Sequence, residues 1–345
     1  MAIPEIQNLK DETWEERTLD LLYDSKIEQD SEKSKSRKSA NKKHKLRWMK
    51  SPMVIPEVIL ELQDEALRES ALRCLSTFLL EKREEDPINY DRTGYLLYNS
   101  CSTMAILLQE ILAFARMVAD ESPTARASKR FLNVLTLFQC IAANKETRHT
   151  FVKSFLPNVL IQLILVEIPL ETFGNVRAVA LSVIGILCQV KEPKIIQWAL
   201  ESNMVEVCQI SIEIGNELSK VVGMHILEAI LQTDSGMSYI CSPTHNHLLK
   251  GLMNAWDNLV TRFAAGQEFS PRLLFHIIRC YVLLCRYERG FSIVMESLPD
   301  HIKDGSLDDI AEEFPVIRSL VQLLLLIVGK TDECCPVSLP HDLLL

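Results

Sequence analysis

Between Gly215 and Cys241 runs GNELSKVVGMHILEAILQTDSGMSYIC, the stretch that most narrows what this chain can fold into. Gly215-Asn216 is a helix start, because Asn caps well and Glu217 places negative charge in the first turn. No proline falls between Leu218 and Leu231, and Gly223 is the single glycine. At about 100° per residue, Leu218, Val221, Val222, Met224, Ile226, Leu227, Ala229, Ile230 and Leu231 cover most of the cylinder. Glu217, Glu228 and Gln232 share one narrow polar strip. A helix apolar on most sides must be packed on more than one side. Thr233-Asp234-Ser235-Gly236 stops it, and Asp234 or Ser235 is placed to cap a second, short helix through Tyr239.

That plan of long helix, tight corner and short helix recurs. FLNVLTLFQCIAANKETRHTFVKSFLPNVLIQLI has its corner at Asn144-Lys145 and a third helix opened by Pro157. VRAVALSVIGILCQVKEPKIIQWALESNMVEVCQISI turns at Lys191–Pro193, and RLLFHIIRCYVLLCRYERGFSIVMESL at Arg286–Glu288. The last apolar residues before the corners are Ala142, Cys188, Leu231 and Leu284, so the intervals are 46, 43 and 53 residues. Armadillo and HEAT units repeat every 40–47 residues or so, and an insertion near Ala264–Ser270, marked by Gly266, accounts for the longest interval. Such a unit cannot bury its apolar face alone, so its neighbours must stack. The fold expected is an all-α, right-handed superhelical solenoid of about six armadillo repeats, over residues 55–329. Upstream, Val58, Leu62, Ala66, Leu67, Ala71, Leu72, Leu75 and Leu79 keep helical spacing until Asp86-Pro87. Tyr95–Ala119 reads as one further long apolar helix region, and Val316–Val328 as the terminal helix.

The flanks differ in kind. Leu9–Tyr23 has the pattern of a short helix. From Lys33 to Lys50 there are nine Lys and Arg and no acidic residue, although the whole chain carries a net charge of −9. Ser31–Lys45 has almost no large apolar side chain, so disorder is expected there, and residues 1–50 read as an extension. Lys42, Lys43, Lys45 and Arg47 are candidates for nucleic-acid contact, a nuclear-localisation patch, or a solvated linker. Residues 330–345, with Pro336 and Pro340, read as a tail. The N-terminus lacks an apolar signal core, and Val316–Val328 is too short to span a bilayer, so a soluble intracellular protein is expected. The ten cysteines nowhere form Cys-x-x-Cys, which suits reduced, buried thiols in cytosol or nucleus. Cys280 and Cys285, five residues apart, sit on different helix faces, so with His276 they make a poor metal set.

No catalytic constellation stands out. Gly-x-Ser-x-Gly, a glycine-rich phosphate loop and His-Glu-x-x-His are all absent from the sequence. His245 and His247 follow Pro243 and read as a polar loop rather than metal ligands. Glu110, Glu167 and Glu171 have no partner readable from spacing. No catalytic, cofactor-binding or metal-ligating residue is therefore assigned. Helical-repeat proteins act through recognition surfaces, and the polar groups at corners and inner helices are Asn144, Arg148, Asn216, Lys220, Arg272, Arg279 and Arg289. Each also has a plain structural role: Asn144 and Asn216 as caps, Arg148 as an ion-pair partner.

Several ordered blocks carry a family resemblance. Leu96–Ile111, Leu135–Phe151, Val183–Leu187, the stretch with ELSK and YIC, and Pro271–Cys280 running on to Leu298–Asp304 resemble the Rcd-one-like (Caf-forty) proteins, over about residues 55–329. The resemblance implies a non-enzymatic, cofactor-free armadillo module that docks on the Not scaffold subunit of the Ccr–Not deadenylase complex. It further implies surfaces for adaptor peptides that bring particular mRNAs to the deadenylases, links to nucleic-acid binding and transcriptional control of differentiation, and residence in cytoplasm and nucleus. The chain departs from the family where its Tyr-Ile-Cys is usually followed by a Tyr and an Arg that help form tryptophan pockets. Thr244 and Asn246 stand at those places, and Tyr287-Glu288-Arg289 replaces an Asn-Pro-Arg turn. A weakened tryptophan slot and a divergent paralogue follow. A nucleic-acid-binding transcriptional cofactor using the basic N-terminal arm and the solenoid groove is the alternative function.

Overall fold

A computed structural model describes residues 54–166 and 171–329. The Lys33–Lys50 segment, the Leu9–Tyr23 helix and the Thr331–Leu345 tail lie outside the described residues. All regular structure among the described residues is helical. The chain divides into two compact units with the boundary between Val190 and Lys191.

The first unit contains α1 (Ile55–Glu61), α2 (Glu65–Glu85), α3 (Pro87–Asn99), α4 (Thr103–Ala119), α5 (Ala125–Ala143), α6 (Arg148–Lys153), α7 (Leu156–Ile164) and α8 (Glu171–Gln189). Helix α5 is the central element, packed against α2, α3, α4 and α8. Its sequence demands this. Phe131, Val134, Leu135, Leu137, Phe138, Cys140 and Ile141 are all buried, so apolar surface points in several directions at once. Thr124 caps it by accepting a hydrogen bond from the Ala127 amide. Gln139 on α5 donates to the Ser182 hydroxyl on α8, so the contact carries a specific link as well as apolar area.

The expected single helix over Tyr95–Ala119 is instead two, α3 and α4, bent by 84°. The Ser100 hydroxyl donates to the Leu96 carbonyl, and Ser102 turns the backbone to φ 64°, a left-handed conformation through which no continuous α-helix runs. Among the described residues no single helix is long and apolar enough to cross a membrane.

The second unit contains α9 (Pro193–Glu201), α10 (Met204–Ile214), α11 (Glu217–Leu231), α12 (Asp234–Ile240), a 3-10 turn (Pro243–His245), α13 (Asn246–Ala264), α14 (Pro271–Leu284), α15 (Glu288–Ser297), α16 (Asp300–Lys303), α17 (Asp308–Glu313) and α18 (Pro315–Gly329). Helix α11 lies between α10 and α14, and α14 between α11 and α18. Asn216 caps α11 as its sequence predicts, accepting from the Ser219 amide at 2.9 Å. The cap of α12 differs from expectation. It is Thr233, in extended conformation, whose hydroxyl accepts from the Gly236 amide, while Asp234 already belongs to the first turn.

Three of the corners share one construction. The Thr147 hydroxyl donates to the carbonyl of Ile141, six residues earlier. The equivalent positions in the second unit are glycines. A Cβ on Gly236 would lie 2.1 Å from the Ile230 carbonyl oxygen, and one on Gly290 would lie 2.4 Å from that of Leu284. At each of these three corners, then, the short helix starts against the last turn of the long one. Either a hydroxyl that bonds the carbonyl or a residue with no side chain fits there.

Candidate functional site

The polar groups of the second unit converge between α11 and α14. At the N-terminal ends, Ser270 donates to Oε1 of Glu217 at 2.7 Å. Lys220 is buried and stands 3.6 Å from Glu268, which also pairs with Arg262. Further along, Glu228 is buried, with Oε2 3.2 Å from Nδ1 of His276 and Oε1 3.2 Å from Nε of Arg279. The Arg279 contact is an ion pair whose N–H is not aligned on the oxygen, so Oε1 accepts no hydrogen bond. Burial alone would push the Glu228 carboxyl up, but His276 and Arg279 outweigh it and hold the group at about 2. His225, one turn before Glu228, sets its ring against that of His276, with centroids 4.1 Å apart and planes tilted by 57°. Burial, then His276, push the His225 imidazole down to about 3, so it is neutral at pH 7. Arg279 also lies 5.9 Å from the Phe275 ring centroid.

A second feature lies at the other corner of α11. A cleft of about 460 Å³ opens between α9, α12 and the 3-10 turn, lined by Gln197, Leu200, Asn203, Ser238, Tyr239 and His245 among others. The His245 ring stacks on Tyr239 at 3.9 Å, and its Nδ1 is 3.1 Å from the Tyr239 carbonyl oxygen. Thr244 is exposed. Asn246 accepts from Nη2 of Arg289 at 3.4 Å, while the buried Arg289 Nε has no hydrogen-bond partner among the described residues. The Tyr239 face is thus covered by a histidine of its own chain, and Arg289 is turned toward the residue that stands where the family's Arg would be.

The seven recognition candidates are not one surface. Asn144 and Arg148 belong to the first unit, where both are buried. The Asn144 side chain accepts from the Glu146 and Thr147 amides and donates to the Asp91 carbonyl, and Arg148 donates to the Ala143 carbonyl. Asn216 is an exposed cap. Lys220 and Arg279 line the α11–α14 seam, and half-buried Arg272 lies close enough to lower the His225 imidazole further. Lys42, Lys43, Lys45 and Arg47 lie outside the described residues. The sequence shows only the i, i+3 spacing of His225 and Glu228; their partner His276 lies on a helix that begins 43 residues beyond Glu228, and no local spacing joins them.

Comparison with known proteins fits this architecture. Solved structures with the same fold include a designed armadillo repeat protein (TM-score 0.56, 11% identity, covering 79% of this chain and 99% of that one). They also include computationally designed armadillo repeat proteins for modular peptide recognition (TM-score 0.54, 13% identity, 79% and 99%). The fold is therefore of the all-α armadillo-repeat class. The chain is 30% identical over 275 residues to the cell differentiation protein rcd1 of Schizosaccharomyces pombe, covering 79% of this chain and 93% of that protein. It is 30% identical over 252 residues to protein CAF40 of Saccharomyces cerevisiae, covering 73% of this chain and 66% of the yeast protein. The profile of the cell differentiation family, Rcd1-like, matches residues 58–328, so the chain belongs to that family.

Proposed function

We propose that this protein is a non-catalytic armadillo-repeat adaptor of the Ccr–Not mRNA deadenylation complex, docking on the Not scaffold subunit and recruiting regulators of particular mRNAs. The observation that carries the reading is the family match over residues 58–328, which spans nearly all the described chain. Two further features support it. The polar groups of α11 and α14 are engaged with one another inside the helix seam rather than arranged around a substrate-sized cavity. The cleft beside Tyr239 is open and polar, which suits a peptide segment better than an enclosed small molecule. Cytoplasm and nucleus are the compartments this role requires.

The test is affinity purification of the full chain from its own cells, followed by mass spectrometry. Recovery of a Not scaffold subunit at a stoichiometric level is the expected result. Its absence under stringent washing, with the bait folded by circular dichroism, overturns the reading.

Direct nucleic-acid binding is a second reading, favoured by the nine positive charges between Lys33 and Lys50. It requires affinity that falls steeply with salt and is lost when residues 1–50 are removed. Unchanged affinity in the truncated protein excludes the arm as its source.

A further inference from the structure

His225 and Glu228 stand three residues apart on α11 and so share a face. Opposite them α14 presents His276. One ligand atom from each of the three lies within 4.8 Å of the others. Glu228 and His276 are buried, and His225 is half-buried. Nε2 of His225 is shut from water and has no hydrogen-bond partner among the described residues, and Oε1 of Glu228 accepts none. Leaving His225 Nε2 unfilled in a buried seam costs about 1–3 kcal/mol, which a ligand at that atom would relieve.

We propose that His225, Glu228 and His276 bind a divalent transition-metal ion, zinc fitting best, that ties α11 to α14. Two imidazole nitrogens and a carboxylate oxygen are a known zinc donor set. Zinc takes nitrogen at roughly 2.0–2.1 Å, so the three atoms must close by something on the order of an ångström. Side-chain rotation supplies that, because the His276–Glu228 contact that would be replaced is a single 3.2 Å hydrogen bond.

Arg279 has two opposed effects. Held 3.2 Å from Oε1, it orients the carboxylate and leaves Oε2 facing the histidines, as groups outside a metal's own ligands commonly do. Its positive charge also opposes a dication, so binding is weaker than at a site of four thiolates. The proposal does not depend on the adaptor reading.

The experiment uses the full chain, stripped with EDTA and desalted. Co²⁺ is titrated first, because its visible bands report geometry and thiolate ligands add intense near-ultraviolet absorption. Zn²⁺ then displaces it in competition with a chromophoric chelator. The expected result is saturation at one ion per chain, visible bands without a thiolate band, and a thermal midpoint that rises with Zn²⁺. His276→Leu and Glu228→Gln weaken binding by roughly a hundredfold. His225→Phe, at a half-buried position where the ring volume is kept, does the same and remains readable if either other variant fails to fold. Absence of saturable binding, a dominant thiolate band, or unchanged affinity in folded His225→Phe overturns the site.

Discussion

Asn144 reaches from the end of α5 to the carbonyl of Asp91 in α3, 3.0 Å away, while its own carbonyl oxygen takes the amides of Glu146 and Thr147. A single buried side chain thereby closes a corner and fastens a second helix to it. Asn144→Ala removes all of these bonds, and the orphaned groups cannot reach water. A loss of about 2–3 kcal/mol is expected by chemical denaturation, against about 1 kcal/mol for an ordinary exposed cap such as Asn216→Ala.

Gly236→Ala sets a methyl group against the Ile230 carbonyl, a backbone atom that cannot swing aside. The expected cost is about 2–3 kcal/mol, read from the shift in denaturation midpoint. Gly266→Ala is the control. Gly266 has φ 65° and nothing within 4 Å of the added carbon, so only the left-handed backbone penalises the change, by about 1 kcal/mol.

Glu110 on α4 is buried and receives both Nε and Nη2 of Arg130 on α5, with Arg68 on α2 3.5 Å away. Removing the carboxylate leaves two guanidinium groups facing each other in a poorly hydrated place. Glu110→Ala is expected to cost about 3 kcal/mol, while Arg126→Ala, on an exposed pair with Glu69, is expected to leave the denaturation midpoint nearly unchanged. Paired denaturation curves at low and high salt check this, since only the exposed pair is screened.

Thiol labelling should sort the cysteines by burial. Cys101 is exposed. Cys188 is fully enclosed, and burial pushes its thiol up to about 12; burial lifts Cys140 well above its ordinary range as well. Alkylation at pH 8 with peptide mass spectrometry is expected to modify Cys101 within minutes and to spare Cys188 and Cys140 until the protein unfolds. Rapid native-state labelling of Cys188 would contradict the packing of α8.

The long helices were legible because each carries its own evidence. Asn216 before Glu217 and the all-round apolar run to Leu231 require a capped, buried helix whatever surrounds it. Short-range competition was less legible. Ser100 and Ser102 break what hydropathy reads as one segment, by a hydroxyl bonded to the Leu96 carbonyl and a left-handed backbone, and Thr233 rather than Asp234 takes the Gly236 amide; each outcome is a local competition that hydropathy does not encode. The seam between α11 and α14 could not be read at all. His276 meets Glu228 across 48 residues of sequence, and no local periodicity encodes that meeting. The recognition candidates show the same limit: Asn144 and Arg279 look alike as polar residues on a repeat, yet one holds a corner and the other faces a buried carboxylate.

The imidazole of His245 rests against the phenol of Tyr239. An indole arriving from another protein would find that seat taken, and must first evict the resident ring and break its link to the tyrosine backbone. A visitor with a flexible, hydrogen-bonding side chain meets no such obstacle in the cleft alongside. Were a partner to dock at this corner, its side chains would be sorted by a ring that belongs to the host.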